Sequence, residues 1–254
     1  MNAGKSQLLV TKHDDNVHIE VDREIIENSK TVKLLGITID NQLNFTEHVS
    51  NICKKASAKL HAIARISNHM NEQKLRLLMK SFFESQFSYC PLVWMFHSRT
   101  LNNRINRLHE RALRLVYKDT ELTFEQLLEK DNSFTIHHRN LQRLATEIYK
   151  VINNESPLIM KLVFPDTINP YNLRNNNPFI STNVHSVHNG TETISYRGPQ
   201  IWALIPEDIK KSNSTAKFKR LIRNWKPENC PCRLCKIYIA NIGFVCNPSC
   251  ASLF

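Results

Sequence analysis

The sequence predicts an α+β fold that is mainly helical, with a small β segment near its N-terminal end. Residues 17–21, VHIEV, alternate apolar and polar side chains, which is typical of a half-buried strand. From Phe45 onward, apolar residues recur with the 3.6-residue period of a helix. Further on, an Asn-Gly turn between alternating runs predicts a hairpin near 184–197, and a last helix is predicted to begin near Ser214.

The same patterns predict four regions along the chain. Residues 1–44 form the β segment and end in the strand pair of TVKLLGITID, at 31–40. Gly36 interrupts that apolar run and predicts a bulge or a close approach of backbone. The regions that follow are basic helices over 45–165, a hairpin and helix module over 166–229, and a cysteine-rich tail over 230–254.

Composition excludes several classes of protein. Hydrophobic residues make up 41% of the chain and charged residues 22%, which is the range of globular domains. No window contains the roughly 18 apolar residues that a membrane helix needs, so no membrane partner is predicted. The start of the chain has no signal-peptide pattern, and the 7 cysteines are an odd number. We therefore predict reduced thiols in a nuclear or cytoplasmic protein that is not secreted.

Positive charge is concentrated in one third of the chain. The formal net charge is +11, and residues 41–118 carry 13 Lys and Arg against 4 Asp and Glu. Within them, LNNRINRLHERALRLVYK places cations three and four residues apart beside an apolar seam, with Glu110 as the one acid. A solvated face usually mixes both signs, so contact with a phosphate backbone is favoured over that interpretation. The predicted nucleic-acid-binding residues are Lys54, Lys55, Lys59, Arg104, Arg107, Arg111, Arg114 and Lys118.

The C-terminal cysteines have a spacing that suits a metal. Cys232 and Cys235 form a C-x-x-C pair, and Cys246 and Cys250 form a looser pair across a predicted hairpin. Two such pairs can supply the four thiolates of a tetrahedral zinc site. Cys230 leaves the ligand set open. The alternative interpretation is a cluster of reduced, partly buried thiols.

Motifs for acid, base or nucleophilic catalysis are sparse. Asp14 and Asp15 are adjacent carboxylates in a polar turn, where solvation is the ordinary explanation. The chain has no glycine-rich phosphate loop and no nucleophile-elbow context. His137 and His138 are adjacent and would point in different directions on a helix. We therefore predict surface or first-turn positions for them and no joint metal site.

Several stretches resemble the C-terminal part of a non-LTR (LINE-type, jockey-like) retrotransposon reverse transcriptase. They are MNAGKSQLLV, TVKLLGITIDNQLNFTEHVSNICKKASAKLHAIARIS, GTETISYRGPQIWALIPEDIKKSNSTAKFKRLIRNW and CPCRLC. The long string that begins at Thr31 is quite specific, whereas CPCRLC alone is weak. Together they span most of the chain.

The resemblance implies roles for several residues. The segment that ends at Lys5 is similar to the fourth palm motif, whose lysine is thought to help protonate the leaving pyrophosphate. Leu35, Gly36 and Ile37 lie where that family has its primer grip. The helices from residue 45 onward correspond to the thumb, which holds a template–primer or other RNA/DNA duplex without reading its sequence.

The chain departs from that family at the catalytic centre. The aromatic-Ala-Asp-Asp turn that binds two magnesium ions in the intact polymerase does not occur in this sequence. Met1 is accordingly expected to be an internal methionine of a longer reading frame or the start of a truncated copy. We expect no polymerase activity from this chain alone, and no small-molecule substrate.

Three hypotheses follow from these observations. The chain is a truncated polymerase remnant that retains nucleic-acid affinity, or a thumb that serves a separate catalytic palm in trans. The third hypothesis is a zinc-stabilised interaction module with no nucleic-acid role. The charge in 41–118 favours the first over the third.

Overall fold

The structure is a computed structural model, which describes residues 6–11, 17–21, 23–165, 179, 184, 190–227 and 230–235. The chain folds as two compact units, Met1–Ser133 and Phe134–Phe254. The predicted helical region 45–165 therefore spans parts of both units. None of the helices in these described ranges combines the length and the apolar character needed to cross a bilayer.

The first unit begins with two antiparallel hairpins that form separate two-stranded sheets. Strand β1 (His18–Val21) pairs with β2 (Glu24–Glu27), and β3 (Thr31–Leu34) pairs with β4 (Ile37–Asp40). Leu35 and Gly36 form the two-residue loop of the second hairpin, with φ angles of 48° and 84°. Positive φ at both positions is the geometry of a type I′ turn, whose twist matches that of the strands. The predicted bulge at Gly36 is therefore wrong, because this glycine turns the chain.

The helices of the first unit pack on a long central pair. Helix α1 (Thr46–Ile66) buries the predicted apolar stripe and packs against α4 (Arg99–Tyr117). Between them, α2 (Glu72–Leu78) begins after the N-cap Asn71, whose side chain accepts a hydrogen bond from the Lys74 amide. The chain continues through a π turn and a 3₁₀ turn to α3 (Pro91–Trp94), which has proline at its first position. Helix α5 (Phe124–Lys130) closes the unit and begins with a complete capping box.

The second unit is built on α6 (Ile136–Ile152), against which α8 (Ile194–Ala203) and α10 (Thr215–Ile222) pack. Two short helices, α7 (Ile159–Val163) and α9 (Glu207–Lys210), also belong to this unit. Tyr149 of α6 stacks on Phe218 of α10 with 4.3 Å between ring centroids. Ser214 caps α10 as predicted, since its hydroxyl accepts a hydrogen bond from the Lys217 amide.

The hairpin predicted near 184–197 is wrong, because its second strand is the start of a helix. The Thr193 hydroxyl accepts a hydrogen bond from the Tyr196 amide at 3.3 Å, which makes Thr193 the N-cap of α8. The Thr193 carbonyl accepts the first helical bond from Arg197. The alternation of apolar and polar side chains predicted a strand here. The threonine cap and the burial of α8 side chains against α6 favour the helix.

Candidate nucleic-acid interface and metal centre

The predicted row of cations lies along α4. Ser98 caps this helix by accepting a hydrogen bond from the Leu101 amide. On the side of the helix opposite to the cations, seven side chains from Leu101 to Val116 are buried. Spacings of three and four residues keep the cations within one arc of the helix. Those whose side chains are exposed form what we term the α4 basic face: Arg104, Arg107, Arg111 and Lys118. Within the described residues, no acidic side chain forms an ion pair with them.

Arg114 belongs to the predicted row but has a different role. Its side chain is half-buried and pairs with Glu110 of the previous turn at 2.8 Å. It also donates a hydrogen bond to the Asp119 carbonyl at 3.2 Å, just beyond the end of α4. Arg114 therefore has an acidic partner within the chain, and its contact with nucleic acid stays a prediction.

The predicted lysines of α1 are exposed but lie on two sides of that helix. Lys54 and His61 are seven residues apart, so they share a side, and the His61 Nε2 atom is 3.5 Å from an Arg111 guanidinium nitrogen. This side of α1 therefore extends the α4 basic face. Lys55 is rotated by about 100° from Lys54 around the axis of α1, and Lys59 lies one turn after Lys55 on the same side as Lys55. These two lysines are not part of the same surface.

Where α1 approaches α4, Cys53 is buried within the interface. Burial raises the pKa of the Cys53 thiol to about 11, against a smaller lowering by the nearby Arg104. The thiol is therefore protonated at neutral pH and serves as a small apolar side chain. Arg104 lies close enough to α1 to act on it while its own side chain stays exposed.

Lys55 lines a cleft beside the tip of the second hairpin. This hairpin cleft has a volume of about 430 Å³, and its lining residues are Leu35, Gly36, His48, Ile52, Lys55, Ser85, Gln86 and Tyr89. The Tyr89 hydroxyl donates a hydrogen bond to the Leu35 carbonyl at 2.7 Å, which ties the tip to the helices. Of the predicted primer-grip residues, Leu35 and Gly36 therefore lie at the cleft, while Ile37 is buried.

His48 is the buried histidine of that cleft. Its Nδ1 atom accepts a hydrogen bond from the Thr38 amide at 3.3 Å, which joins α1 to strand β4. Burial, and then the nearby Lys55 ammonium, lower the pKa of His48 below its usual value. The ring is therefore neutral at pH 7, and Lys55 is the cation of this cleft.

A second cluster, in the second unit, could bind a metal ion. His137, Cys232 and Cys235 place their ligand atoms within 4.8 Å of one another. The His137 Nε2 atom is 3.3 Å from the Cys232 sulfur, and the Cys235 amide donates to that same sulfur at 3.4 Å. All three side chains are buried. The predicted pair Cys232 and Cys235 is thus present, and a histidine joins it.

His137 was predicted at the surface or in a first turn, and only the second part is correct. It is the second residue of α6, and its side chain is only 5% exposed. The sequence held a signal for this burial, because Leu141 and Leu144 follow at four and seven residues and are fully buried. His138 lies next to it, and burial lowers the pKa of His138 to about 4.

Cys230 adjoins the same cluster and is 1% exposed. Hydrogen bonding with the Cys232 and Cys235 thiols lowers the pKa of Cys230, and hydrogen bonding with the Cys230 and Cys232 thiols raises the pKa of Cys235. The predicted ligands Cys246 and Cys250 lie outside the described residues, as does Lys5.

No family model, curated protein or solved structure matches this chain. The resemblance to reverse transcriptases rests on the quoted sequence stretches. The α4 basic face and the buried cluster of His137, Cys232 and Cys235 rest on the geometry of the structure.

Proposed function

We propose that this chain is a fragment of a non-LTR retrotransposon RNA-directed DNA polymerase that retains the surface for the backbone of a template–primer duplex. The observation that supports this proposal is the α4 basic face, on which Arg104, Arg107, Arg111 and Lys118 are exposed in one row. Arg114, which has an acid partner, is excluded from that row.

Such a row is suited to phosphate groups. Arg104 and Arg111 are seven residues apart, so three guanidinium groups follow about 10 Å of helix axis. Arg107 and Arg111 are one turn apart and repel each other, which destabilises an isolated helix by a few tenths of a kcal/mol. A bound polyanion removes that repulsion. Guanidinium groups also bind phosphate oxygens through two parallel hydrogen bonds.

The binding would be independent of nucleic-acid sequence. Contacts to phosphate and sugar position a protein on a duplex and carry no base information. Lys54 and His61, beside Arg111, would widen the surface, and Lys55 in the hairpin cleft would contact a separate part of the duplex. We propose no polymerase activity for the chain alone, because two-metal phosphoryl transfer needs the carboxylates that the sequence lacks.

Replacing Arg107 and Arg111 with glutamine tests this function. Each phosphate contact on a duplex contributes about 0.9 to the slope of log affinity against log salt concentration. The double variant should therefore reduce that slope by about 1.8, to the same extent on duplexes of unrelated sequence. The measurement is fluorescence anisotropy of labelled duplexes across a salt series, with circular dichroism to confirm folding. Glutamine retains most of the side-chain stem that packs beside Leu108 and Ala112.

The matched control is Lys217→Gln with Arg220→Gln, which removes two exposed charges from α10 and leaves the α4 basic face intact. Its salt slope should equal that of the unmodified chain. A folded Arg107 and Arg111 variant with an unchanged slope would show that the α4 basic face is only solvated.

A second candidate function is a zinc-stabilised interaction module with no nucleic-acid role. The observation that favours it is the buried cluster of His137, Cys232 and Cys235. Thiolate and imidazole together are the donor set that zinc prefers, so zinc is the ion we propose. A protein that carries zinc and has no measurable affinity for duplex at low salt would favour this function over the first.

A further inference from the structure

We propose that the hairpin cleft binds a small molecule that carries one carboxylate on an apolar body. The cleft volume of about 430 Å³ lies within the range of roughly 300–1,000 Å³ that is typical of small-molecule sites. The proposal goes beyond nucleic-acid binding, and the residues that support it lie outside the α4 basic face.

His48 supplies a buried hydrogen-bond donor to this cleft. Its Nδ1 atom accepts from the Thr38 amide, so the neutral ring carries its proton on Nε2. The His48 side chain is 6% exposed, and no protein atom among the described residues accepts a hydrogen bond from Nε2. Buried donors ordinarily have a partner, because leaving one unpaired destabilises the fold. An oxygen atom of a ligand would provide the acceptor.

Lys55 gives the cleft its positive charge. It lies seven residues after His48, so the two side chains are on the same side of α1. Among the described residues that line the cleft, none is acidic, and His48 is neutral at pH 7. One carboxylate balances a single ammonium group. A phosphate dianion would keep an uncompensated negative charge in the cleft, which is unfavourable.

The other walls suit an apolar body. Leu35 and Ile52 contribute aliphatic side chains, and Tyr89 contributes an aromatic ring. Leu35 is 82% exposed and Tyr89 is 53% exposed. An apolar ligand that covers this surface would remove it from water, which is the main source of affinity for such a body.

Two hydrogen bonds hold the cleft in its shape before a ligand arrives. The Tyr89 hydroxyl donates to the Leu35 carbonyl at the tip of the hairpin, and the Thr38 amide donates to His48 of α1. Both bonds join the second hairpin to the helices. A preformed cleft loses little conformational freedom on binding, so more of the contact energy contributes to affinity.

Benzoate is the probe that tests this proposal, by isothermal titration calorimetry with the full chain. It should bind saturably at one site. Benzamide has the same shape without the charge and should bind at least about tenfold more weakly, because its contact with the ammonium group is not charge-assisted on both sides. Acetate lacks the apolar body and should also bind at least about tenfold more weakly.

Lys55→Gln should weaken benzoate binding by at least about tenfold. The matched control is Lys59→Gln, which removes a charge one turn further along the same side of α1 without altering the lining of the cleft. Both lysines are exposed, so both variants should fold. The control should bind benzoate as the unmodified chain does.

Nitrogen-15 NMR of the histidine rings gives a measurement on the unmodified chain. Benzoate should shift the Nε2 proton signal of His48 downfield and slow its exchange with water, because the carboxylate becomes its acceptor. The signal is identified as the one that His48→Phe lacks.

The contrary outcomes are equally specific. Absence of saturable benzoate binding, equal affinities for benzoate and benzamide, or equal losses in the two lysine variants would overturn the proposal. Tighter binding of inorganic phosphate than of benzoate would overturn the choice of a carboxylate. The variant with Arg107→Gln and Arg111→Gln should bind benzoate normally, so failure of the nucleic-acid proposal can be distinguished from failure of this one.

Discussion

Replacing Asp131 with alanine should lower the free energy of unfolding of the first unit by about 3 kcal/mol. The Asp131 side chain is 0% exposed, and its Oδ1 atom lies 2.7 Å from the Arg76 Nε atom. The Tyr117 hydroxyl donates a hydrogen bond to the same oxygen at 2.7 Å. A second Arg76 nitrogen donates to the Asp131 carbonyl. One carboxylate thus joins α2, α4 and the end of α5.

The size of this effect follows from what alanine leaves behind. The Tyr117 hydroxyl loses its acceptor, and Arg76 loses its buried counter-charge. Removing one member of a buried ion pair typically costs 3–5 kcal/mol. Arg76 is 37% exposed and can regain water, which places the expected loss at the lower end. Asp131→Asn should cost less than Asp131→Ala, because the amide oxygen still accepts from Tyr117.

Denaturant unfolding can be followed in this unit alone. The chain has 3 tryptophans, and Trp94 is buried in the first unit. A background of Trp202→Phe with Trp225→Phe leaves Trp94 as the reporter. Lys130→Gln is the control, since Lys130 pairs with Asp119 at 3.5 Å and is 43% exposed. Such an exposed pair contributes less than about 1 kcal/mol. If Asp131→Ala and Lys130→Gln lower the free energy of unfolding equally, the contacts of Asp131 with Arg76 and Tyr117 do not stabilise the unit as expected.

Replacing Gly198 with alanine should destabilise the second unit by about 2 kcal/mol. An added Cβ would lie 2.4 Å from the Phe164 Cε1 atom and 3.3 Å from the Ile148 Cδ1 atom. Phe164 is 0% exposed and packs against Phe179, so its ring has little room to move. Alanine in place of glycine would otherwise favour a helix by about 1 kcal/mol. Here the steric overlap is expected to outweigh that gain.

A double-variant cycle separates overlap from other causes. Phe164→Leu removes the ring atoms that the new methyl group meets, so it should relieve part of the loss in Gly198→Ala by about 1 kcal/mol or more. The fluorescence of Trp202 and Trp225 reports unfolding of this unit in a Trp94→Phe background. Strict additivity of the two changes would argue against the overlap. Gly36→Ala is a useful contrast, since an added Cβ would make only an ordinary contact of 3.8 Å with the Tyr89 Cε1 atom, and the φ of 84° would be the source of strain.

Features that depend on neighbouring residues could be predicted from the sequence. Asn71 and Thr123 were identifiable as helix starts, because a side-chain cap bonds an amide only two or three residues away. The row of Arg104, Arg107 and Arg111 was predicted for a similar reason. Once α4 is helical, spacing alone determines which side chains share a side.

Arg114 matches the spacing of the row, but its partners are local, since Glu110 lies one turn before it and Asp119 five residues after it. Features that depend on distant parts of the chain could not be predicted in this way. The stretch that begins at Ile194 alternates like a strand, yet it forms a helix in which Gly198 approaches Phe164 more closely than a Cβ would allow.

The candidate metal cluster shows most clearly what the sequence could predict and what only the tertiary structure determines. The C-x-x-C spacing of Cys232 and Cys235 indicated a ligand pair, since two cysteines on one tight turn can reach the same ion. Their histidine partner lies 95 residues before Cys232, and no local period links the two. Burial of the apolar side of α6, on which His137 lies beside Leu141 and Leu144, is what brings the imidazole to the thiols. The sequence by itself therefore determined the helices and their charged row, and tertiary packing decided which side chains meet at the candidate metal centre.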